Sequence, residues 1–150
     1  MSNHSLHIVV GITGGIAAYK SLSLIRLLIQ QGAEVKVVAT RNALQFVTEL
    51  SLQTLSQNKV YIDPFQKIQN FEIEHIALAE WADAIIVAPA TANILGKFAN
   101  GIADDALSTL YLAATCPVFV APAMNSNMLQ HPATQENIKC LKSRGCLILE

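Results

Sequence analysis

Asn125 stands four residues past the apolar run Val118-Phe119-Val120-Ala121, inside the segment Pro122-Ala123-Met124-Asn125-Ser126-Asn127-Met128. A strand that ends in Pro and then presents Asn, Ser and Asn puts polar groups where an open α/β sheet forms its ligand crevice, outside the carboxyl ends of its strands. An amide offers both donor and acceptor, so Asn125 can orient a carboxylate without adding charge. Met124 and Met128 supply adaptable apolar contact. Asn125 also suits a helix cap, and both readings stay open.

Three further stretches have chemical potential. Gly11-Ile12-Thr13-Gly14-Gly15-Ile16-Ala17-Ala18-Tyr19-Lys20 joins a strand to a helix. Its glycines allow a tight turn, and helix N-terminal N–H groups can approach an anion. The spacing is not G-x-G-x-x-G, and the second strand ends in Ala39-Thr40-Arg41 rather than in the acidic residue that a nicotinamide ribose needs. Hydroxyl and guanidinium groups favour a phosphate, although a turn that only packs has the same composition. Pro89-Ala90-Thr91-Ala92-Asn93 also follows a strand. Its small residues admit a planar ligand and Thr91 and Asn93 can bond it, or either can simply cap the next helix. His75 lies near the expected start of a helix that leads back to this strand; it is either a cap or surface residue or a proton carrier near neutral pH. His4, His7 and His131 have weaker claims.

The elements that must position these groups are legible as apolar runs. His7 to Ile12, Glu34 to Ala39, Ala84 to Ala88, Val118 to Ala121 and Cys146 to Leu149 read as strands buried on both faces. Helical patterns lie between them at Ile16 to Gln31, Ile73 to Trp81, Asn93 to Asn100, Asp104 to Ala114 and Pro132 to Ser143. Gly32 and Gly145 close two of them. Between Asn42 and Asn70 the expected elements are helices at Ala43 to Val47 and Leu50 to Ser56 and a short strand at Lys59 to Ile62. Alternation of this kind predicts a doubly wound parallel sheet.

Composition narrows the function classes. With 150 residues, 52% hydrophobic and 14% charged, the chain supports one domain with a substantial core. A formal charge of -1 and the lack of a Lys/Arg run argue against nucleic-acid binding. Apolar stretches break well short of the roughly 18 residues of a membrane span, and Met1 to Ser5 do not read as a secretion signal. A soluble cytoplasmic protein with small-molecule or subunit partners is expected. Cys116, Cys140 and Cys146 fit neither a disulfide framework nor a zinc site, so reduced thiols and no metal are expected.

Taken together, Gly14-Gly15-Ile16-Ala17-Ala18-Tyr19-Lys20, His75, Pro89-Ala90-Thr91-Ala92-Asn93, Asn100-Gly101-Ile102-Ala103-Asp104-Asp105 and Pro122-Ala123-Met124-Asn125 resemble the homo-oligomeric flavin-containing cysteine decarboxylases. Within that family they resemble most the phosphopantothenoylcysteine decarboxylase domains that open the bifunctional bacterial coenzyme A biosynthesis protein. The resemblance implies a three-layer Rossmann-like α/β fold with strand order 3-2-1-4-5-6, FMN as cofactor, and trimers or multiples of trimers with flavin sites between subunits. It implies that the flavin oxidises a cysteine side chain to a thioaldehyde, that the neighbouring carboxylate then leaves as carbon dioxide, and that the enethiolate is reduced again. By position, His75 and Asn125 correspond to catalytic residues, with Asn125 and Met124 on the substrate. Gly14, Gly15, Ile16, Ala17, Thr40, Thr91, Ala92, Asn93 and Ala123 correspond to flavin contacts. The family's substrate clamp, with its cysteine, would lie past residue 150, so residues 1–150 are expected to be a fragment that binds FMN but is impaired in full turnover. A peptidyl-cysteine decarboxylase, a non-catalytic flavoprotein regulatory subunit and a nicotinamide-binding half-domain are the alternatives; Thr40-Arg41 argues against the last.

Overall fold

The computed structural model describes residues 5–62 and 68–149, with the side chains of 68–73 excepted. Met1 to His4 of the N-terminal segment read above fall outside the described residues. The apolar runs become six parallel strands: β1 (His7–Ile12), β2 (Glu34–Ala39), β3 (Val60–Tyr61), β4 (Ala84–Ala90), β5 (Val118–Pro122) and β6 (Leu147–Ile148). They form one sheet in the order β3-β2-β1-β4-β5-β6, as the resemblance implied. The helices are α1 (Tyr19–Gln30), α2 (Glu49–Ser56), α3 (Ile68–Trp81), α4 (Ala92–Asn100), α5 (Ala106–Ala113), α6 (Ser126–Gln130) and α7 (Pro132–Ser143).

Side chains of the central strands alternate between two apolar cores, as the period of a strand requires. Ile8, Val10 and Ile12 of β1 join Val35, Val37 and Ala39 of β2 beneath α1 and α2, around fully buried Ile25 and Leu52. Val9, Ile85, Val87 and Val120 face the other way, onto Ile94, Leu95 and Phe98 of α4 and Leu107 and Leu110 of α5. Phe98 stacks on Tyr111 at 4.0 Å between ring centroids. Apolar on both faces, the inner strands admit only the three-layer arrangement.

Several boundaries depart from the sequence reading. The first helix opens as a 3-10 turn, Ile16–Ala18, before α1. The segment read as a helix at Ala43 to Val47 is a 3-10 helix, Arg41–Gln45, held by the Thr40 side chain, which accepts from the Ala43 N–H. No Gly or Pro interrupts Ile68 to Ile73, and α3 begins at Ile68. β4 runs past the cis Ala88–Pro89 peptide to Ala90. Proline has no N–H to give the ladder, so the register shifts there and resumes with Ala90 opposite Pro122. α5 starts after Asp105, which is its cap rather than its first turn. The short helix α6 follows the cap reading of Asn125.

β1 sits between β2 and β4. The chain leaves β1 toward β2 and later returns to place β4 on the opposite side, so the carboxyl ends of β1 and β4 form the topological switch point of the sheet.

Candidate active site

A cleft of about 510 Å³ opens at that switch point, bounded by the turn after β1, the loop after β2, the start of α4, the Asp104-Asp105 loop and Met128 of α6. Thr13 organises it. Its buried hydroxyl donates to the Pro89 carbonyl at 2.6 Å and accepts from the Thr91 N–H at 3.1 Å. The two loops are therefore bonded through one side chain. Ser21 adds a second tie, donating to the Ala88 carbonyl at 2.6 Å. The turn at Gly14 is pressed against Asn42: a Cβ on Gly14 would lie 2.5 Å from Asn42 Nδ2 and 2.7 Å from its Cβ and Cγ.

A helix or 3-10 turn follows each of β1, β2, β4 and β5 within a few residues, and α4, the longest of them, starts at Ala92 beside the cleft. Thr40 and Thr91 cap two of these helices, accepting from Ala43 N–H at 3.3 Å and Ile94 N–H at 3.2 Å. A hydroxyl that accepts from a helix still has its own proton to donate. With Arg41 beside them, these groups make one wall rich in donors, suited to an anionic group. Lys97 also lines the cleft, and its Nζ lies 2.8 Å from Asp104 and 2.7 Å from Asp105. Burial pushes the Asp105 carboxyl up, but hydrogen bonds from Lys97 and from the Ser108 N–H and hydroxyl outweigh it and hold the group below its ordinary value. Desolvation pulls Lys97 down, and the two carboxylates more than offset this, leaving it raised.

The flavoprotein family model matches residues 1–150. The chain belongs to the flavoprotein family. It is 51% identical over 144 residues to the coenzyme A biosynthesis bifunctional protein CoaBC of Bacillus subtilis, covering 96% of this chain and 36% of that protein. With the CoaBC of Haemophilus influenzae it shares 50% identity over 145 residues, again 36% of the relative. The chain thus spans about a third of the length of these relatives. Among solved structures, the FMN-dependent cysteine decarboxylase TvaF from thioviridamide biosynthesis superposes with a TM-score of 0.91 at 34% identity, covering 98% of this chain and 91% of that one. A PPC decarboxylase mutant complexed with pantothenoylaminoethenethiol superposes with a TM-score of 0.85 at 33% identity, covering 97% and 82%.

In this flavoprotein the residues singled out in the sequence divide into groups. Gly14, Thr40, Thr91, Ala92 and Asn93 line the cleft together. Gly15 lies next to it, 3.9 Å from Thr91 Cγ2 when measured from an added Cβ. Ile16 projects into solvent, 80% exposed. Ala17 and Ala123 line a separate cavity of about 390 Å³ beside α1 and the ends of β4 and β5. Met124 is partly buried and packs against the core cluster on the α4 and α5 side of the sheet. Asn125 caps α6 through its Oδ1, which accepts from the Asn127 N–H at 2.8 Å. His75 is neither cap nor surface group. It lies mid-way along α3, 4% exposed, with Nε2 hydrogen-bonded to the carbonyl of Ala106 at the start of α5.

Thr13, Asn42 and Lys97 were missed as site residues. For Thr13 the signal was present, a hydroxyl beside the glycines, but its partners are 76 and 78 residues away. Lys97 gave no local signal, because its carboxylate partners approach across the turn at Gly101, where φ is +68°. Cys116, Cys140 and Cys146 are free thiols. No group of three or more His, Cys, Asp or Glu among the described residues is placed to hold a metal, and no helix among them is long and apolar enough to cross a membrane.

Proposed function

We propose that residues 1–150 form a flavin-binding cysteine decarboxylase domain that converts 4'-phospho-N-pantothenoylcysteine to 4'-phosphopantetheine in coenzyme A biosynthesis, with FMN as cofactor. The observation that carries this reading is the convergence of Gly14, Thr40, Thr91, Ala92 and Asn93 on one cleft at the switch point. The identity to CoaBC proteins supports it over nearly the whole chain.

The donor set fits FMN. The glycine turn, Thr40 and Arg41 offer N–H, hydroxyl and guanidinium groups to a phosphate, and Ala92 with Thr91 and Asn93 offers a small surface edged by polar groups to a planar ring. FMN, when bound, supplies the electron sink that an unactivated carboxylate lacks. The chain's residues do the positioning. Asn125 has its Oδ1 engaged by the α6 cap, and its Nδ2 hydrogens are left to donate to a substrate carboxylate. His75 takes the thiol or carboxylate proton. Gly15, Ile16, Ala17 and Ala123 complete the flavin contacts in an assembly of three subunits or a multiple of three, with sites between subunits, in the cytoplasm.

A peptidyl-cysteine substrate is the second reading, because the peptidyl-cysteine decarboxylase EpiD superposes with a TM-score of 0.87, though at 28% identity. Incubating the flavin-loaded protein with each substrate and measuring carbon dioxide separates the two. Release from 4'-phospho-N-pantothenoylcysteine alone is the expected result; release only from a C-terminal cysteine peptide reverses the assignment.

A further inference from the structure

Lys97 stands four residues after Asn93 on α4, so the two share a helix face, and both line the cleft. An ammonium group has three N–H bonds. Two are committed, to Asp104 Oδ1 at 2.8 Å and to Asp105 Oδ2 at 2.7 Å, which leaves the third for a ligand. The two carboxylates are not equivalent. The Asp105 side chain is 10% exposed, and its Oδ1 accepts from the Ser108 N–H at 2.7 Å and from the Ser108 hydroxyl at 2.8 Å. Asp104 is 62% exposed and meets only Lys97 among the described residues. Asp105 therefore anchors the ammonium group, whose own side chain is 18% exposed, and Asp104 is the loose partner. Salt screens the exposed charge much more than the partly buried one.

We propose that Lys97 and Asp104 are opposed charges that set the reduction potential of the bound flavin, Lys97 raising it by donating its third N–H to the reduced ring and Asp104 holding it down. This rests on the reading of the cleft as the FMN site. When the substrate's CH2–SH group is oxidised to a thioaldehyde it gives up two electrons and two protons. The ring takes both electrons and the proton from carbon, which adds one negative charge to it, and the proton from sulfur is released to water. An ammonium group stabilises that added charge and a carboxylate opposes it. The same hydride equivalent then returns to the enethiolate, a proton from water completing the saturated thiolate. A lone cation would favour only the first transfer, whereas the pair of opposed charges serves a cofactor that takes two electrons and gives them back.

The test is the midpoint potential of the flavin-loaded protein, reduced stepwise with dithionite against a reference dye and compared with Lys97→Met and Asp104→Asn. Lys97→Met is expected to weaken the binding of reduced FMN relative to oxidised FMN roughly tenfold, which lowers the two-electron potential by about 30 mV. Asp104→Asn is expected to move the same ratio the other way by about threefold, the smaller effect of an exposed charge. A potential unchanged by Lys97→Met, or moved by it in the same direction as by Asp104→Asn, makes the ion pair a purely structural one; it overturns the proposal and leaves the FMN reading standing. Should Lys97→Met not fold, Asp104→Asn decides, since it removes one exposed ion pair only: an unmoved or lower potential overturns the proposal. A parent chain that takes up no FMN overturns both.

Discussion

Thr13 and Pro89, 76 residues apart, are joined by a 2.6 Å hydrogen bond from a hydroxyl to a carbonyl. Because the same hydroxyl accepts from Thr91, one side chain fixes the spacing of the two loops that frame the cleft. Thr13→Val keeps the shape and strands both partners, at a cost of about 1–3 kcal/mol for the buried groups left unsatisfied. Urea unfolding is expected to show that loss, and FMN titration a weaker complex.

Adjacent glycines differ in what they tolerate. Gly14→Ala drives a methyl group into Asn42, whereas Gly15 has extended backbone and only ordinary contact in reach. Gly14→Ala is expected to weaken FMN binding about tenfold or more, roughly 1.4 kcal/mol, and Gly14→Ala with Asn42→Ala to recover part of it. Gly15→Ala should unfold at the wild-type urea concentration. Equal destabilisation by both single substitutions contradicts the packing described for Gly14.

Asn125 serves α6 with its oxygen, and the proposed function gives its nitrogen to the substrate. Asp caps a helix as well as Asn does but has no donor and adds a like charge facing a carboxylate. Asn125→Asp is therefore expected to keep its melting temperature and its FMN while losing roughly a hundredfold in kcat/KM, a penalty of several kcal/mol being usual for like charges in contact. Unchanged kcat/KM would leave Asn125 as a cap alone.

The Lys97–Asp105 pair has a defined pH window. Asp105 is held below its ordinary value, so its contribution to stability is present above the unfolded pKa of about 3.9 and is lost as pH falls through the lower folded value. Lys97 is raised, and its contribution is present below about 10.4 and is lost as pH rises through the higher folded value. Lys97→Met leaves burial to dominate at Asp105, and acid unfolding followed by circular dichroism should begin at a higher pH than in the parent chain. An unmoved acid transition would show that Ser108 alone holds the carboxylate.

Local patterns carried the layer order because β1, β2, β4 and β5 are predominantly apolar and Gly32 and Gly145 mark helix ends by their positive φ. Chain-end polarity likewise marked the loops at Gly14, Thr40 and Thr91, since each directly follows a buried strand. What stayed hidden depends on contacts between distant residues. The continuation of β4 beyond Pro89 is set by its pairing with Pro122, and the burial of His75 by the packing of α3 on α5. Asn125 was legible as a cap, but α6 was too short to show a period.

The most direct test of the account is the visible absorbance spectrum of the freshly purified protein, followed by identification of any chromophore released on denaturation. A flavin spectrum with FMN as the released compound is the predicted result. Protein that is colourless and takes up no added FMN would contradict the assignment of the cleft at Gly14, Thr40 and Thr91 as a flavin site.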